Sequence, residues 1–383
     1  MIDLSLDVSA VPLNPGGAGY YTIAIAQGLS RRNDVQLTLI SRQDDGERWH
    51  SLTGGRAKVV SVVPASRPAR LAFEQVGFPR LLKQLGVSVH HGPHYTMPER
   101  SPVPCVVTIH DCTFFDHPEW HLRSKATFFR RAITRASSRA GALICVSEVT
   151  ATHLRAHCDV QVPLIVAPHG VDHQRFSPED PEAGMDEALL RVAGIPAEGP
   201  LVAFVGTLEP RKGVAPLVAA FDRVADSRPD AHLVLGGQPG WGLEDVERAL
   251  NGARHRDRII RTGYLPDETV PALLRRATVV ACPALEEGFG LPALEALACG
   301  ASLITTEGTA MAEVAGPAAV LVPPGDVDAL TAALATELDQ AQAGTPALQA
   351  RRTLGLTTAA TYTWEASVDL HVSAYGRALS GSK

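Results

Sequence analysis

Ala277-Thr-Val-Val-Ala-Cys-Pro283 and, four residues on, Glu287-Gly-Phe-Gly-Leu-Pro-Ala-Leu-Glu295 decide how this chain folds. The first segment is a short β-branched apolar run, the pattern of a buried strand. From Leu291 to Cys299 the composition turns to Ala and Leu, with Pro292 in the first helical turn, where its missing N–H costs little. The unit reads as strand, glycine loop, helix. Such a loop brings backbone N–H groups to the positive end of a helix, a place for an anionic or hydroxyl-rich ligand. Glu287 projects from the loop, and Glu295 follows from the second helical turn. Taken as an isolated pair, the two glutamates read equally well as a helix cap and a solvated charge.

The same alternation runs through all 383 residues. Short apolar runs between amphipathic stretches indicate βα units and parallel sheets. In the first half the expected strands are Ile2–Leu6, Val35–Ile40, Lys58–Val63, Val87–His91, Pro104–Ile109, Ala142–Val146 and Leu164–Ala167. A fresh series opens at Leu201–Val205 and continues through His232–Leu235, Arg258–Arg261, Thr278–Ala281, Ser302–Thr305 and Ala319–Val322. The polar, Pro-rich stretch from Ser177 to Met185 is the expected linker. Residues 1–178 and 179–361 then form two Rossmann-like domains. The tail, 362–383, is helical in pattern.

A hydrophobic share of 45% with 20% charged residues describes a core-forming chain. A net charge of −6 gives no ground for general nucleic-acid binding. The six cysteines form no C-x-x-C pair and mostly lie in or beside apolar runs, as buried reduced thiols do. The first residues read as a strand rather than a signal sequence, and no apolar run has the roughly 18–20 residues of a membrane span. A cytoplasmic location is expected.

The glycines, the proline and the spacing of Glu287 and Glu295 resemble the E-x7-E motif of retaining glycosyltransferases of the GT-B fold, in the large family 4 (group 1) set. Phe204-Val-Gly-Thr-Leu-Glu-Pro-Arg-Lys-Gly213 resembles the G-T-L-E-P-R-K signature of a mannosyltransferase-like subgroup. The resemblance implies two facing Rossmann-like domains with a cleft between them and a last helix crossing back to the first domain. It implies a nucleotide diphosphate sugar as donor, with Arg211 and Lys212 on its diphosphate: Arg as a planar clamp, Lys as a point charge. Many relatives carry an arginine where this chain has Thr207, so the clamp rests on Arg211 and Lys212, and Thr207 offers a hydroxyl.

By the same resemblance, Glu287 holds a donor-sugar hydroxyl with backbone from Gly288, Phe289, Gly290 and Leu291. Glu295 takes the ribose. Thr262-Gly-Tyr-Leu-Pro-Asp-Glu268 holds the base through backbone around Tyr264 and Leu265, which does not separate GDP from UDP. The glycine loop from Leu13 to Tyr21 brings Gly17 and Gly19 against the phosphates. Val107-Thr-Ile-His110-Asp111 resembles the I-H-D motif, whose histidine approaches the reacting carbon, while Asp111 suits loop hydrogen bonding. His90, His91, His94, His117 and His121 match no metal-ligand spacing, and Asp326-Val-Asp328 reads as a helix cap. No metal or cofactor is called for. The basic amphipathic helix Arg123–Arg139 reads either as a solvated face or as a contact for anionic lipid.

The implied reaction is transfer of a hexose, preferentially mannose from GDP-mannose, to a glycan or lipid-linked acceptor in polysaccharide or glycolipid synthesis. A UDP-hexose donor, a non-catalytic nucleotide-sugar-binding subunit and a sugar-nucleotide epimerase are the alternatives.

Overall fold

The computed structural model describes residues 1–381; positions 382 and 383 of the expected final helix lie outside the described residues. The chain divides into two compact units, one comprising Met1–Gly170 with the segment from Thr363, the other Val171–Tyr362.

The first unit carries β1 (Ile2–Asp7), β2 (Val35–Arg42), β3 (Lys58–Val63), β4 (Val89–Gly92), β5 (Cys105–Ile109), β6 (Ala142–Cys145) and β7 (Leu164–Val166), in the spatial order β3-β2-β1-β4-β5-β6-β7. All pairs are parallel, as in Leu4 beside Leu37 and Val107 beside Leu143. Alternation along β5 and β6 builds two cores. Val106 and Ile144 join Leu4, Leu6, Tyr21 and Ile25 on one face, with Val368, Ala374 and Tyr375 of the final helix, Trp364–Ser380. Val107, Ile109, Leu143 and Cys145 meet Ile133 and Leu154 on the other. The final helix is thus part of the first unit's core. All six cysteines are buried and free.

The second unit carries β8 (Leu201–Val205), β9 (His232–Gly236), β10 (Ile259–Gly263), β11 (Val279–Cys282), β12 (Leu303–Thr306) and β13 (Ala319–Val322). Their order is β10-β9-β8-β11-β12-β13, again all parallel. Phe204, Leu217, Phe221, Leu233 and Leu235 lie in its main core.

The boundary falls at Gly170–Val171, ahead of the position 178–179 expected from composition. Hydrogen bonding explains this. The N–H of Val171 donates to the Tyr362 carbonyl, and the Arg175 guanidinium grips the Asp267 carbonyl at 2.7 and 3.1 Å. The Pro-rich stretch is also tied down: Arg275 donates to the Ser177 carbonyl, and Asp180 accepts from the N–H groups of Glu182, Gly184 and Asp186.

In both sheets the chain winds outward from the centre in one direction and then in the other. Ligands of open α/β sheets bind at the carboxyl ends of the strands at this reversal. It lies between β1 and β4 in the first unit and between β8 and β11 in the second.

Candidate functional site

The loops leaving β8 and β11 flank the second unit's reversal point, and they carry the expected donor-site side chains. Past the end of β8, pairing to the β9 side continues. Gly206 N–H donates to the Gly236 carbonyl at 2.8 Å, Leu208 N–H to Gln238 at 2.9 Å, and Gly240 N–H back to Leu208 at 3.0 Å. The loop is therefore fixed up to the 3-10 turn Pro210–Lys212. Gly213 ends that turn at φ +68°, and a Cβ there would lie 2.0 Å from the Pro283 carbonyl oxygen. Only glycine allows this approach of the two loops. Leu285 N–H closes it by donating to the Arg211 carbonyl at 2.7 Å. From the far side, Thr305 and Thr306 hydroxyls donate to the carbonyls of Cys282 and Ala284.

This framework brings Arg211, Lys212 and Glu287 together. Lys212 Nζ is hydrogen-bonded to Glu287 Oε1, and Arg211 Nη1 lies 3.4 Å from Glu287 Oε2. Arg211 Nε donates to Glu209 Oε2 at 2.8 Å. All four side chains are largely shielded from solvent, so their attraction is screened less than at an exposed surface. The two cations share the Glu287 carboxylate, with Glu209 as a second partner of Arg211, and a group with two negative charges can replace Glu287 on both.

Gly290 (φ +92°) caps the following helix, Leu291–Ala298, whose second residue is Pro292. A Cβ on Gly290 would meet Met311 Cγ at 2.1 Å. Phe289 is buried and stands edge-on to Tyr362, their ring centroids 6.0 Å apart. Glu295 lies in the same helix, Leu291–Ala298. Burial pushes its carboxyl up to about 7, Arg175 pulls it down and Asp267 raises it. Tyr264 is exposed and Leu265 buried, so at this step the chain offers backbone and an outward ring. Thr207 is exposed.

In the first unit, Gly17 is the first residue of the helix Gly17–Ser30, and Gly19 is buried where a Cβ would lie 2.7 Å from Pro15 Cβ. His110 leaves the carboxyl end of β5 and is buried. Its Nε2–H donates to the Pro93 carbonyl at 2.7 Å, so in the neutral ring Nδ1 keeps its lone pair. Burial lowers its proton affinity, opposed by the Pro93 bond and Asp111. Asp111 Oδ1 accepts from Thr113 N–H and Oγ1. His90 and His91 are buried and bonded to Ser5, Thr108 and Tyr375. Asp326 caps its helix by accepting from Ala329 N–H at 2.9 Å.

Glu209, Arg175 and Asp267 belong to this constellation without having been singled out from the sequence. Glu209 stood within the quoted motif, two residues from the arginine it orients. Arg175 meets Asp267 only through the tertiary fold, and no local pattern signals the pairing.

The family model for glycosyltransferase family 4 matches residues 15–175, and that for glycosyl transferases group 1 matches 185–347. O-antigen chain mannosyltransferase B of Escherichia coli is 29% identical over 288 residues, covering 75% of this chain and 74% of the relative. A D-inositol 3-phosphate glycosyltransferase of Mycolicibacterium smegmatis is 28% identical over 242 residues, covering 60% of this chain and 54% of the relative. The chain thus spans about half the length of that second relative. In three dimensions the structure resembles sucrose-phosphate synthase from Thermosynechococcus elongatus, with a TM-score of 0.77, 19% identity and 100% of both chains covered. Two doubly wound parallel sheets, the loop constellation of the second and the two family matches agree: this chain belongs to the group 1, family 4 glycosyltransferases of the GT-B fold.

Proposed function

We propose that the protein is a retaining hexosyltransferase that moves mannose from GDP-mannose to a hydroxyl of a glycan or lipid-linked acceptor. The observation that carries this reading is the convergence of Arg211 and Lys212 on Glu287 at the reversal point of the second sheet. The donor diphosphate takes over the two cations. Glu287 is released to a sugar hydroxyl, with backbone at Gly288, Phe289, Gly290 and Leu291 beside it. Glu295 takes the ribose, and the base lies along Tyr264 and Leu265, with Thr207 near the phosphates. In the first unit, His110, Gly17 and Gly19 are the positions that the family resemblance assigns to the sugar and the phosphates.

The acceptor oxygen approaches on the face from which the diphosphate leaves, and a phosphate oxygen receives its proton. Positioning and charge stabilisation supply the rate. The paired basic groups can neutralise the leaving group, so no metal is required. The mannose preference is supported by the Escherichia coli relative.

The acceptor side works at the cytoplasmic membrane face. Among the described residues no helix is long and apolar enough to cross a membrane. The helix Arg123–Arg139 exposes Arg123, Arg131 and Arg139 beside Leu122 and Phe128, whereas Arg130 is turned inward onto the Phe114 carbonyl at 2.6 Å. Each basic residue near anionic lipid contributes about 1 kcal/mol. The test is transfer of label from GDP-mannose, UDP-glucose and UDP-galactose to membrane extracts in the presence of a chelator. Labelled product from the GDP sugar alone supports the reading; transfer only from a UDP sugar overturns the donor assignment.

A further inference from the structure

Tyr21, Thr108, His91, His371 and Tyr375 are fully buried in the first unit and joined by one hydrogen-bonded chain whose direction can be derived. The Ser367 carbonyl can only accept, so His371 donates to it from Nδ1 at 2.7 Å, and Nε2 carries the lone pair. Tyr21 Oη, 2.7 Å from that Nε2, is then the donor. Having given its one proton, Tyr21 accepts from Thr108 Oγ1 at 2.7 Å. Thr108 in turn accepts Nε2–H of His91 at 2.8 Å. His91 Nδ1 is left to accept from Tyr375 Oη at 2.9 Å. Every link is satisfied once, with both histidines neutral. Any reversal leaves an oxygen with two protons to give, or a buried group unpaired.

The chain starts and ends on one helix, at His371 and Tyr375, one turn apart. Between them it passes through the helix Gly17–Ser30, β5 and β4. Tyr21 is its link to the site. The Tyr21 ring stands edge-on to His110, with centroids 5.0 Å apart and planes at 84°. The other rings around His110 lie farther off: His94 and Tyr95 at 5.6 Å and His169 at 6.2 Å.

We infer that Tyr21 is a positioning residue for His110: the final helix fixes Tyr21 through this chain, and Tyr21 holds the imidazole in the tautomer that the Pro93 carbonyl selects. This rests on the reading of His110 as a sugar contact; the tautomers do not. A segment distant in sequence thereby sets the geometry of a site residue.

The test uses full-length protein labelled with nitrogen-15 in histidine, read by long-range proton–nitrogen correlation, in wild type, His371→Leu, His371→Gln and Tyr21→Phe. In wild type, His371 is expected as the Nδ1–H form, and His91 and His110 as Nε2–H forms. His371→Leu removes the acceptor of Tyr21, whereas His371→Gln returns an amide oxygen. In His371→Leu and Tyr21→Phe, His110 is expected to divide between tautomers, while His371→Gln keeps the wild-type signal.

The matching kinetic readout is turnover of GDP-mannose with water as acceptor. One lost buried hydrogen bond corresponds to about a tenfold lower kcat in His371→Leu and Tyr21→Phe, with the donor KM unchanged. His371→Gln should restore kcat. His371 or His91 in the opposite tautomer, or charged at neutral pH, overturns the inference. So does a wild-type His110 signal in both His371→Leu and Tyr21→Phe. Absence of turnover in wild type refutes the proposed function, while the nitrogen spectra still decide the positioning.

Discussion

Acidification should separate the two units, because their buried titratable groups differ. The first holds several buried histidines of lowered proton affinity, opposed there by the raised carboxyls of Asp7 and Glu74, whereas the second has the raised carboxyl of Glu295. In the first unit burial pushes His90 and His371 down to about 4 and His94 down to about 3, from an ordinary 6.5. A group that binds protons more weakly when folded stabilises the fold above its unfolded value. That stability is lost as pH falls toward the folded value. Between about pH 7.5 and 5 the unfolded chain gains a proton at each of these three positions, a loss of about 2 kcal/mol apiece. Buried Glu74 opposes them. Its carboxyl is pushed up to about 8, mainly by burial and also by Asp7, so acid relieves about 3 kcal/mol there. His91, His110 and His169 are lowered as well and add to the loss.

The net result is several kcal/mol of destabilisation, a large part of an ordinary domain's stability. In the second unit Glu295, raised to about 7, has the opposite sign: its folded form keeps the proton, so stability falls as pH rises from the unfolded 4.5 toward 7. Hydrogen exchange corrected for intrinsic rates, at about pH 7.5 and 5, reads the two units separately. Protection should fall in β1, β4 and β5 and hold in β8 and β11. Equal protection of the first unit at both pH values, or earlier loss in the second, would refute the reasoning.

Four further outcomes are expected. Lys212→Ala and Glu287→Ala should each lower transfer roughly 10- to 150-fold, the range of one charge-assisted hydrogen bond, measured as kcat/KM with the donor varied. If Glu295 takes the ribose as proposed, its ionised form is the better acceptor for the hydroxyls, so donor affinity measured by calorimetry should tighten as pH rises through about 7, and Glu295→Gln should flatten the profile. Glu209→Ala frees the Arg211 guanidinium from its 2.8 Å partner and should weaken diphosphate binding about tenfold, with little change in melting temperature. Gly213→Ala puts a methyl 2.0 Å from the Pro283 oxygen at a positive φ. It should cost more than about 2 kcal/mol in denaturant unfolding and abolish donor binding.

The strands were legible because each is a short apolar run bounded by polar or glycine residues, a pattern that parallel sheets require on both faces. The winding order is not written in such runs, and it is the order that puts the β8 and β11 loops side by side. The Glu287–Glu295 spacing and the Arg211–Lys212 pair could be read because they sit on contiguous loops and helices. The contact between those loops could not, since it depends on Gly213 passing under the Pro283 carbonyl, and neither residue signals the other. Arg175 is the sharpest case. It lies in a stretch assigned by composition to the first domain, yet its guanidinium fastens the second unit at Asp267. By spacing the first-unit histidines match no metal-ligand pattern, and His90 and His91 are hydrogen-bonded within the core. Their hydrogen-bonded chain leaves no local pattern, because linked residues such as Tyr21 and His371 are 350 positions apart.

On the proposed reading, the β8 and β11 loops hold a nucleotide diphosphate sugar. Thermal shift of wild type and Lys212→Ala with GDP, UDP, ADP and their sugar conjugates, in chelator, tests it most directly. Ligand at about 100 times its dissociation constant adds about 2.7 kcal/mol, so a shift confined to the GDP series and lost in Lys212→Ala is predicted. Wild type unmoved by every nucleotide, or a shift undiminished in Lys212→Ala, would contradict the account.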